Sequence, residues 1–182
     1  MLCKNYALGV GCAFALGACQ PATPTSGEDS KRLMHNDFEQ SVGWGGASEG
    51  SLTTAKAHAG KWAVQVNKDT PFGFTFERTL GQLAAQVPRK MRLQAWALRA
   101  NPGSNAKLVV QVNTSATDTA KVFYGALPLA GAVREFDKWT AVSYPFSLPA
   151  RAAAGNVIKI YLWQDQATTP AFLDDVELFT ED

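Results

Sequence analysis

The scarcest informative residue in this sequence is cysteine. The chain has 182 residues and only three cysteines, at positions 3, 12 and 19, so residues 20–182 contain none. A domain built from residues 20–182 therefore has no disulfide. Its stability has to come from a buried core or from a bound metal.

A surplus of charge of one sign is also lacking. The sequence has 17 Lys and Arg against 16 Asp and Glu, a formal net charge of +1, and the basic residues form no cluster or stripe. This pattern argues against nucleic-acid binding. Long stretches with the 3.6-residue period of a helix are scarce as well, whereas Gly, Thr, Val and aromatic residues are plentiful.

The residues needed for common hydrolytic sites are missing. The chain has two histidines, His35 and His58, and neither belongs to a His-x-x-x-His pair or a nucleophile elbow. A Glu-x-Asp-x-Glu strand of the β-sandwich glycosidases would need Glu at position 173, where Leu stands. Glycoside hydrolysis uses two opposed carboxyl groups, and Asp175 with Glu177 does not supply them. We therefore expect no enzymatic activity.

Residues 1–18 have the layout of a secretory signal. Lys4 precedes an apolar run over 7–18, which is too short to span a membrane. The run ends in Leu16-Gly17-Ala18-Cys19, which resembles the lipobox of bacterial lipoproteins. The resemblance implies that Cys19 is lipidated and that the chain is anchored in the cell envelope. The alternative is an ordinary signal peptide cleaved elsewhere.

Three segments follow from this interpretation: a lipoprotein signal peptide (1–18), a lipidated flexible linker (19–35) and a folded domain (36–182). The linker is rich in Pro, Thr, Ser and charge and has little to bury. Gln20 follows the cysteine, and by resemblance to a known sorting pattern this predicts the outer membrane rather than the inner one.

The remaining sequence is a series of short apolar or alternating segments separated by turn residues. This pattern predicts an all-β fold, a two-sheet antiparallel β-sandwich of jelly-roll type. The predicted strands are 37–43, 61–66, 72–80, 90–100, 107–113, 121–127, 139–148, 157–165 and 171–179, with a further short strand near 51–57.

Several of these strands carry a second face that mixes aromatic residues with amides. Period-two alternation places Ile158, Ile160 and Leu162 on one face, with Tyr161 and Trp163 on the other. An aromatic ring stacks on a pyranose, and planar amides bind its hydroxyl groups. The predicted ligand-binding residues are Tyr161, Trp163, Gln94, Gln111 and Asn113, joined by Trp96 if its strand lies in the same sheet.

The alternative for these aromatic residues is purely structural, since Trp and Tyr often cover a sandwich or pack beneath a loop. For Trp62 and Trp139, which begin strands next to loops, we favour the core.

Short motifs along the whole domain resemble a known group. They are NDFEQ (36–40), AHAGKWAVQV (57–66), RLQAWALRA (92–100), DKWTAVSYPFSLP (137–149), IKIYLW (158–163) and FLDDVELF (172–179). Their order resembles the carbohydrate-binding jelly rolls of families four, nine and twenty-two, which have the galactose-binding-like fold. Two departures are the missing Gly between Asn36 and Asp37, and Trp62 in place of the usual Tyr.

The resemblance implies a structural calcium that joins the first and last strands. Carried over by motif position, Glu39 and Asp174 would be ligands, Asp175 would support the site or face solvent, and carbonyls near 60–61 would complete the shell. Carboxylates and carbonyls are the ligands that calcium prefers. The alternative is that Glu39 and Asp174 pair with Lys or Arg, or remain solvated on an edge strand.

These features together predict non-catalytic glycan binding by an envelope-anchored lipoprotein. Its partners would be a polysaccharide and, through the lipid, a membrane. The alternative is a structural or protein-interaction lipoprotein that uses the jelly-roll fold without a sugar site.

Overall fold

The computed structural model describes residues 31–41 and 46–182. The described chain forms ten strands and three short helical segments. The strands are β1 (Arg32–Asn36), β2 (Leu52–Thr53), β3 (Ala63–Val66), β4 (Phe76–Thr79), β5 (Lys90–Arg99), β6 (Ala106–Asn113), β7 (Lys121–Pro128), β8 (Thr140–Ser147), β9 (Val157–Gln164) and β10 (Ala171–Thr180). The helical segments are a 3₁₀ turn (Gly46–Ser51), α1 (Leu80–Leu83) and α2 (Leu129–Ala132).

The strands form two antiparallel sheets. Sheet A has the order β2-β3-β10-β5-β8, with β1 also paired to β10, and sheet B has the order β4-β9-β6-β7. Two strands share one edge of β10: β3 pairs with its first half, over 171–173, and β1 pairs with its second half, over 176–179. The break between them falls at Asp174 and Asp175.

The core lies between the two sheets and follows the predicted alternation. Ile158, Ile160 and Leu162 of β9 are buried, and so are Leu108 and Val110 of β6. Burial of such a continuous apolar layer from both sheets is the main force holding a sandwich together. The structure therefore confirms the all-β fold class and the inward face assigned to the strand that forms β9.

The first strand lies earlier in the chain than predicted. Residues 32–36 form β1 and pair with β10, so they belong to the sheet rather than to the predicted linker that ends at 35. Met34 explains the difference, because its side chain is only 9% exposed and packs in the core. The predicted strand 37–43 is wrong over 37–40, where Phe38 has φ = 63° and the chain turns.

The predicted signal peptide, the lipidated Cys19 and the linker up to residue 30 lie outside the described residues. Within 31–41 and 46–182, the structure contains no helix of the length and apolar character that crossing a bilayer requires.

Candidate functional site

The outer face of sheet B carries three of the predicted ligand-binding residues. Tyr161 and Trp163 project from β9, and Gln111 projects from the adjacent β6, where Val109 lies opposite Tyr161. All three predicted residues are partly exposed. The second face inferred from alternation therefore does contain aromatic and amide groups side by side.

Hydrogen bonds fix the amide of Gln111. The Tyr161 hydroxyl donates to Gln111 Oε1 at 3.3 Å, and Gln111 Nε2 donates to Asn113 Oδ1 at 2.7 Å. Burial, assisted by Tyr124, raises the pKa of Tyr161, which favours the protonated hydroxyl that donates this hydrogen bond. Asn113 is only 1% exposed, and it orients Gln111 instead of meeting a ligand as predicted.

A groove of about 360 Å³ runs beside Tyr161. Its lining residues are Phe72, Thr75, Glu77, Gln111, Lys159 and Tyr161. The Phe72 ring is 52% exposed, and its centroid lies 6.1 Å from that of Tyr161. On the polar side, Lys159 Nζ pairs with Glu77 Oε2 at 2.9 Å. The groove thus joins two aromatic rings to an ion pair and an amide.

Two aromatic residues of this face were not predicted from the sequence. Phe72 lies in the strand predicted over 72–80, but the structure places it before β4, bridged to Trp163. Tyr124 of β7 lies opposite Gln111 and is 45% exposed. Alternation within β7 could have identified Tyr124. For Phe72 the alternation was misleading, because it groups Phe72 with Phe74 and Phe76, which pack against the core.

Trp163 lies on the same face but does not line the groove. Lys107 Nζ lies 5.0 Å from the centroid of its ring and also pairs with Asp165 Oδ2 at 2.7 Å. A cation over an aromatic ring is attracted by the electron-rich face. The lysine therefore covers one side of the indole that the sequence suggested for sugar stacking.

Gln94 and Trp96 lie on the other sheet. Both belong to β5, which lies between β10 and the edge strand β8 of sheet A, and their side chains face away from the core. The predicted single face with Gln94, Gln111 and Tyr161 is therefore wrong. Alternation fixes which residues share a strand face, but it does not say in which sheet the strand lies.

Asp174 is buried at the break in β10. Its side chain is 0% exposed, and Oδ2 accepts the backbone N–H groups of His58 at 2.8 Å and Ala59 at 3.3 Å. Oδ1 accepts the N–H of Asp175 at 2.8 Å. Burial raises the pKa of Asp174, the three backbone donors lower it, and the charge of Asp175 adds to the rise.

Glu39 binds Lys61 and Trp62, which follow shortly after the His58 and Ala59 held by Asp174. Its Oε1 accepts the backbone N–H groups of Lys61 and Trp62, each at 2.7 Å. Gly60 has φ = 60°, and a Cβ there would stand 2.5 Å from Glu39 Oε1. Only glycine combines that backbone conformation with so close an approach. Glu39 and Asp174 therefore hold one segment, residues 58–62, between β1 and β10.

Asp175 faces outward and meets the imidazole of His58. Asp175 has φ = 46°, and its Oδ2 lies 2.6 Å from His58 Nδ1. The His58 ring stacks on Trp96 with centroids 3.8 Å apart and an interplanar angle of 12°. The left-handed backbone at Asp175 belongs to a bulge, because the pairing with β5 shifts between Asp174 and Glu177.

This junction contains carboxylates, a ligand type that calcium prefers. Within 31–41 and 46–182, Asp174 has no Lys or Arg partner, and its carboxylate accepts hydrogen bonds from backbone N–H groups only. Two carboxylates approach the same loop, although no group of three or more His, Cys, Asp or Glu forms in that part of the chain. Calcium would need backbone carbonyls as its further ligands. Neither alternative from the sequence, a Lys or Arg pair or a solvated edge, describes Asp174.

Comparison with solved structures identifies the fold. The C-terminal family 22 carbohydrate-binding module of Clostridium thermocellum Xyn10B superposes with a TM-score of 0.51 at 14% identity, covering 87% of this chain and 96% of that chain. The CBM22-1 xylan-binding domain of Paenibacillus barcinonensis Xyn10C superposes with a TM-score of 0.50 at 14% identity, covering 82% and 94%. No protein-family model and no curated protein matches the sequence. The chain thus has the jelly-roll fold of carbohydrate-binding modules.

Proposed function

We propose that this protein binds a glycan, without catalysis, through the groove on the outer face of sheet B. The main observation is that one groove contains two aromatic rings and several polar groups. The rings are those of Phe72 and Tyr161, and their centroids lie 6.1 Å apart. The similarity in fold to a xylan-binding domain supports the proposal.

The chemistry of the groove suits a pyranose. A sugar ring has an apolar C–H face that packs on an aromatic ring and hydroxyl groups that need paired donors and acceptors. Phe72 and Tyr161 would supply the apolar contact. Glu77 and Lys159, which already pair at 2.9 Å, would bind hydroxyl groups from the opposite side.

The position of Gln111 favours a preorganised site. Because its amide is held by Tyr161 and Asn113, little side-chain entropy would be lost when a sugar binds. Among the residues that the structure describes, the other N–H of the amide has no hydrogen-bond acceptor, so it could donate to a hydroxyl group. The groove would therefore bind through fixed rather than mobile groups.

A retention assay tests this proposal. Residues 20–182 would be applied to insoluble xylan, glucan and mannan, and affinity would be measured for Phe72→Ala and Tyr161→Ala. Loss of an aromatic anchor should weaken binding about tenfold or more. Phe136→Ala is the matched control, since Phe136 is also an exposed ring, at 44%, but lies outside the groove.

The assay distinguishes the two functional hypotheses. Retention that falls in both groove variants but not in Phe136→Ala supports glycan binding on sheet B. If no polysaccharide retains the wild-type chain, the proposal fails and a structural or protein-interaction role is favoured. Retention unchanged by both groove variants would show that this groove is not the site.

We propose further that Cys19 carries a lipid that anchors the domain in the bacterial envelope, in the outer membrane. The support is the lipobox-like sequence at 16–19, after an apolar run. Metabolic labelling with an alkyne fatty acid should label the wild-type chain and not Cys19→Ala. Equal labelling of both would contradict the proposal.

A further inference from the structure

Sheet A carries a second groove, on its own outer face, with a volume of about 380 Å³. A row of four directly opposed polar residues crosses its floor from strand to strand. His35 of β1 lies opposite Glu177 of β10, Glu177 lies opposite Gln94 of β5, and Gln94 lies opposite Ser143 of β8. Because the pleat sends opposed residues to the same side, these side chains project together.

Trp96 forms one side of this groove. It lies two residues beyond Gln94 on β5 and lines the groove, whereas His58, stacked on it at 3.8 Å, does not. Trp139 adds an edge contact to His58 at 5.9 Å. The indole is therefore held in place from outside the groove while part of it faces the open space.

The strand at the edge of the groove has small side chains. β8 is an outer strand of sheet A, and Ala141 and Ser143 are both exposed next to Trp96 and Gln94. An aromatic ring that stands beside such short side chains leaves a shelf open to solvent. A long, extended molecule could enter there without being threaded through a closed cavity.

Two of the polar groups of this floor, on Gln94 and Ser143, are not committed elsewhere. Across residues 31–41 and 46–182, the Gln94 amide and the Ser143 hydroxyl make no side-chain hydrogen bond, in contrast to Gln111, which is bonded on both sides. Glu177 holds Arg32 through Oε1 at 3.0 Å, and carboxylates have capacity for further donors. An amide, a hydroxyl and a carboxylate in one row can bind successive sugar hydroxyl groups.

We propose that this groove is a second glycan-binding surface, in which Trp96 packs on a pyranose ring and Gln94, Ser143 and Glu177 bind its hydroxyl groups. The proposal takes its ligand class from the proposed function of sheet B. It assigns a separate site to the opposite side of the sandwich, because the two outer faces are divided by the core. One chain would then contact two glycan segments at once.

Two sites on opposite faces change what the protein can do. A module with one groove attaches to a polysaccharide, whereas one with two can bridge neighbouring chains and gain avidity from the second contact. On an insoluble polymer, this chain would therefore dissociate more slowly than either of its single-site variants.

The test follows the indole N–H signals of the protein by NMR during titration with xylohexaose, cellohexaose and mannohexaose. The Trp96 signal is assigned with Trp96→Phe. Two variants isolate the faces: Phe72→Ala with Tyr161→Ala removes the aromatic rings of sheet B, and Gln94→Ala with Ser143→Ala removes free polar groups of sheet A. All of these side chains lie on the outer faces of the sheets, so none of the substitutions leaves a cavity in the core.

The expected result is that a hexasaccharide shifts the Trp96 signal in the wild type and in the sheet B double variant. In the sheet A double variant, the affinity reported by Trp96 should fall at least tenfold, while the groove of sheet B still binds. Calorimetry should give two binding sites per wild-type chain and one per double variant.

Two outcomes overturn the inference and are distinguishable from each other. If hexasaccharides bind with one site per chain and leave the Trp96 signal in place, the second surface is absent and the proposed function of sheet B stands. If no hexasaccharide moves any signal and no polysaccharide retains the chain, both proposals fail together.

Discussion

Two consecutive aspartates of β10 have opposite environments. Asp174 is fully buried and accepts three backbone N–H groups, whereas Asp175 is partly exposed and meets the imidazole of His58. An ionised carboxylate is costly to bury unless its oxygens are satisfied. The backbone donors of His58, Ala59 and Asp175 satisfy them here, which gives Asp174 a structural role.

Removal of this carboxylate should destabilise the fold. In Asp174→Ala, three backbone N–H groups lose their acceptor, and each buried donor left unsatisfied costs about 1–3 kcal/mol. We expect the free energy of unfolding, measured by urea denaturation in the presence of chelator, to fall by about 3 kcal/mol or more.

Asp182→Ala is the matched control. Asp182 also accepts two backbone N–H groups, from Arg89 and Lys90, but it is exposed, so water can replace it. Its loss should lower the free energy of unfolding by about 1 kcal/mol. Equal effects of the two substitutions would contradict the structural role of Asp174.

At the scale of elements, β10 is the strand of sheet A that pairs with three others, β1, β3 and β5. Its first half pairs with β3 and its second half with β1, and the bulge at Asp175 marks the change of partner. Because of the bulge, the side chain of Asp174 points to the loop before β3, and that of Asp175 points to the outer face. One irregular residue thus positions the carboxylates of the junction and the His58 that supports Trp96.

The contribution of β1 can be measured through Met34. Because Met34 is 9% exposed and packs in the core, Met34→Ala should lower the free energy of unfolding by about 2–5 kcal/mol. His35→Ala, one residue on and exposed, should change it by no more than about 0.5 kcal/mol. Chemical denaturation of both variants measures the difference.

A chain that starts at Asn36 gives a second measurement of the same strand. Without residues 32–35, the edge of β10 over 177–179 loses its partner, and the midpoint of unfolding should fall relative to residues 20–182. An unchanged midpoint would mean that the domain starts at Asn36, as the sequence alone predicted.

At the scale of the whole molecule, the first and last strands lie side by side. β1 and β10 pair directly, and Glu39 and Asp174, one after β1 and the other within β10, hold the same loop. A cation bound there only in the folded state would stabilise the entire domain. In a chain without disulfides beyond residue 19, that contribution would matter for the global transition.

We therefore expect the melting temperature to depend on calcium. At free calcium 100 times its dissociation constant, binding adds about 2.7 kcal/mol, or about 5–10 °C for a domain of this size. Chelator should lower the melting temperature of the wild type and leave Glu39→Gln unaffected. A wild-type melting temperature indifferent to chelator would contradict calcium binding at this junction.

The sequence predicted the strands better than it predicted the site. In β9 the inward residues Ile158, Ile160 and Leu162 were assigned correctly, because a period of two is a local property of the chain. Gln94 and Gln111 look equivalent in that pattern, yet they lie in different sheets. The sheet in which a strand lies is set by which strands pair, and distant contacts decide that.

The sequence by itself determined the all-β class, the inward and outward faces, and the presence of aromatic and amide groups on the outward ones, because each depends on local alternation and composition. The tertiary structure alone decided that Tyr161 and Trp96 face opposite ways, that Phe72 joins the groove of sheet B, and that Asp174 is buried. Those facts depend on strand order and on a bulge at Asp175, which bring together residues more than 100 positions apart in the chain.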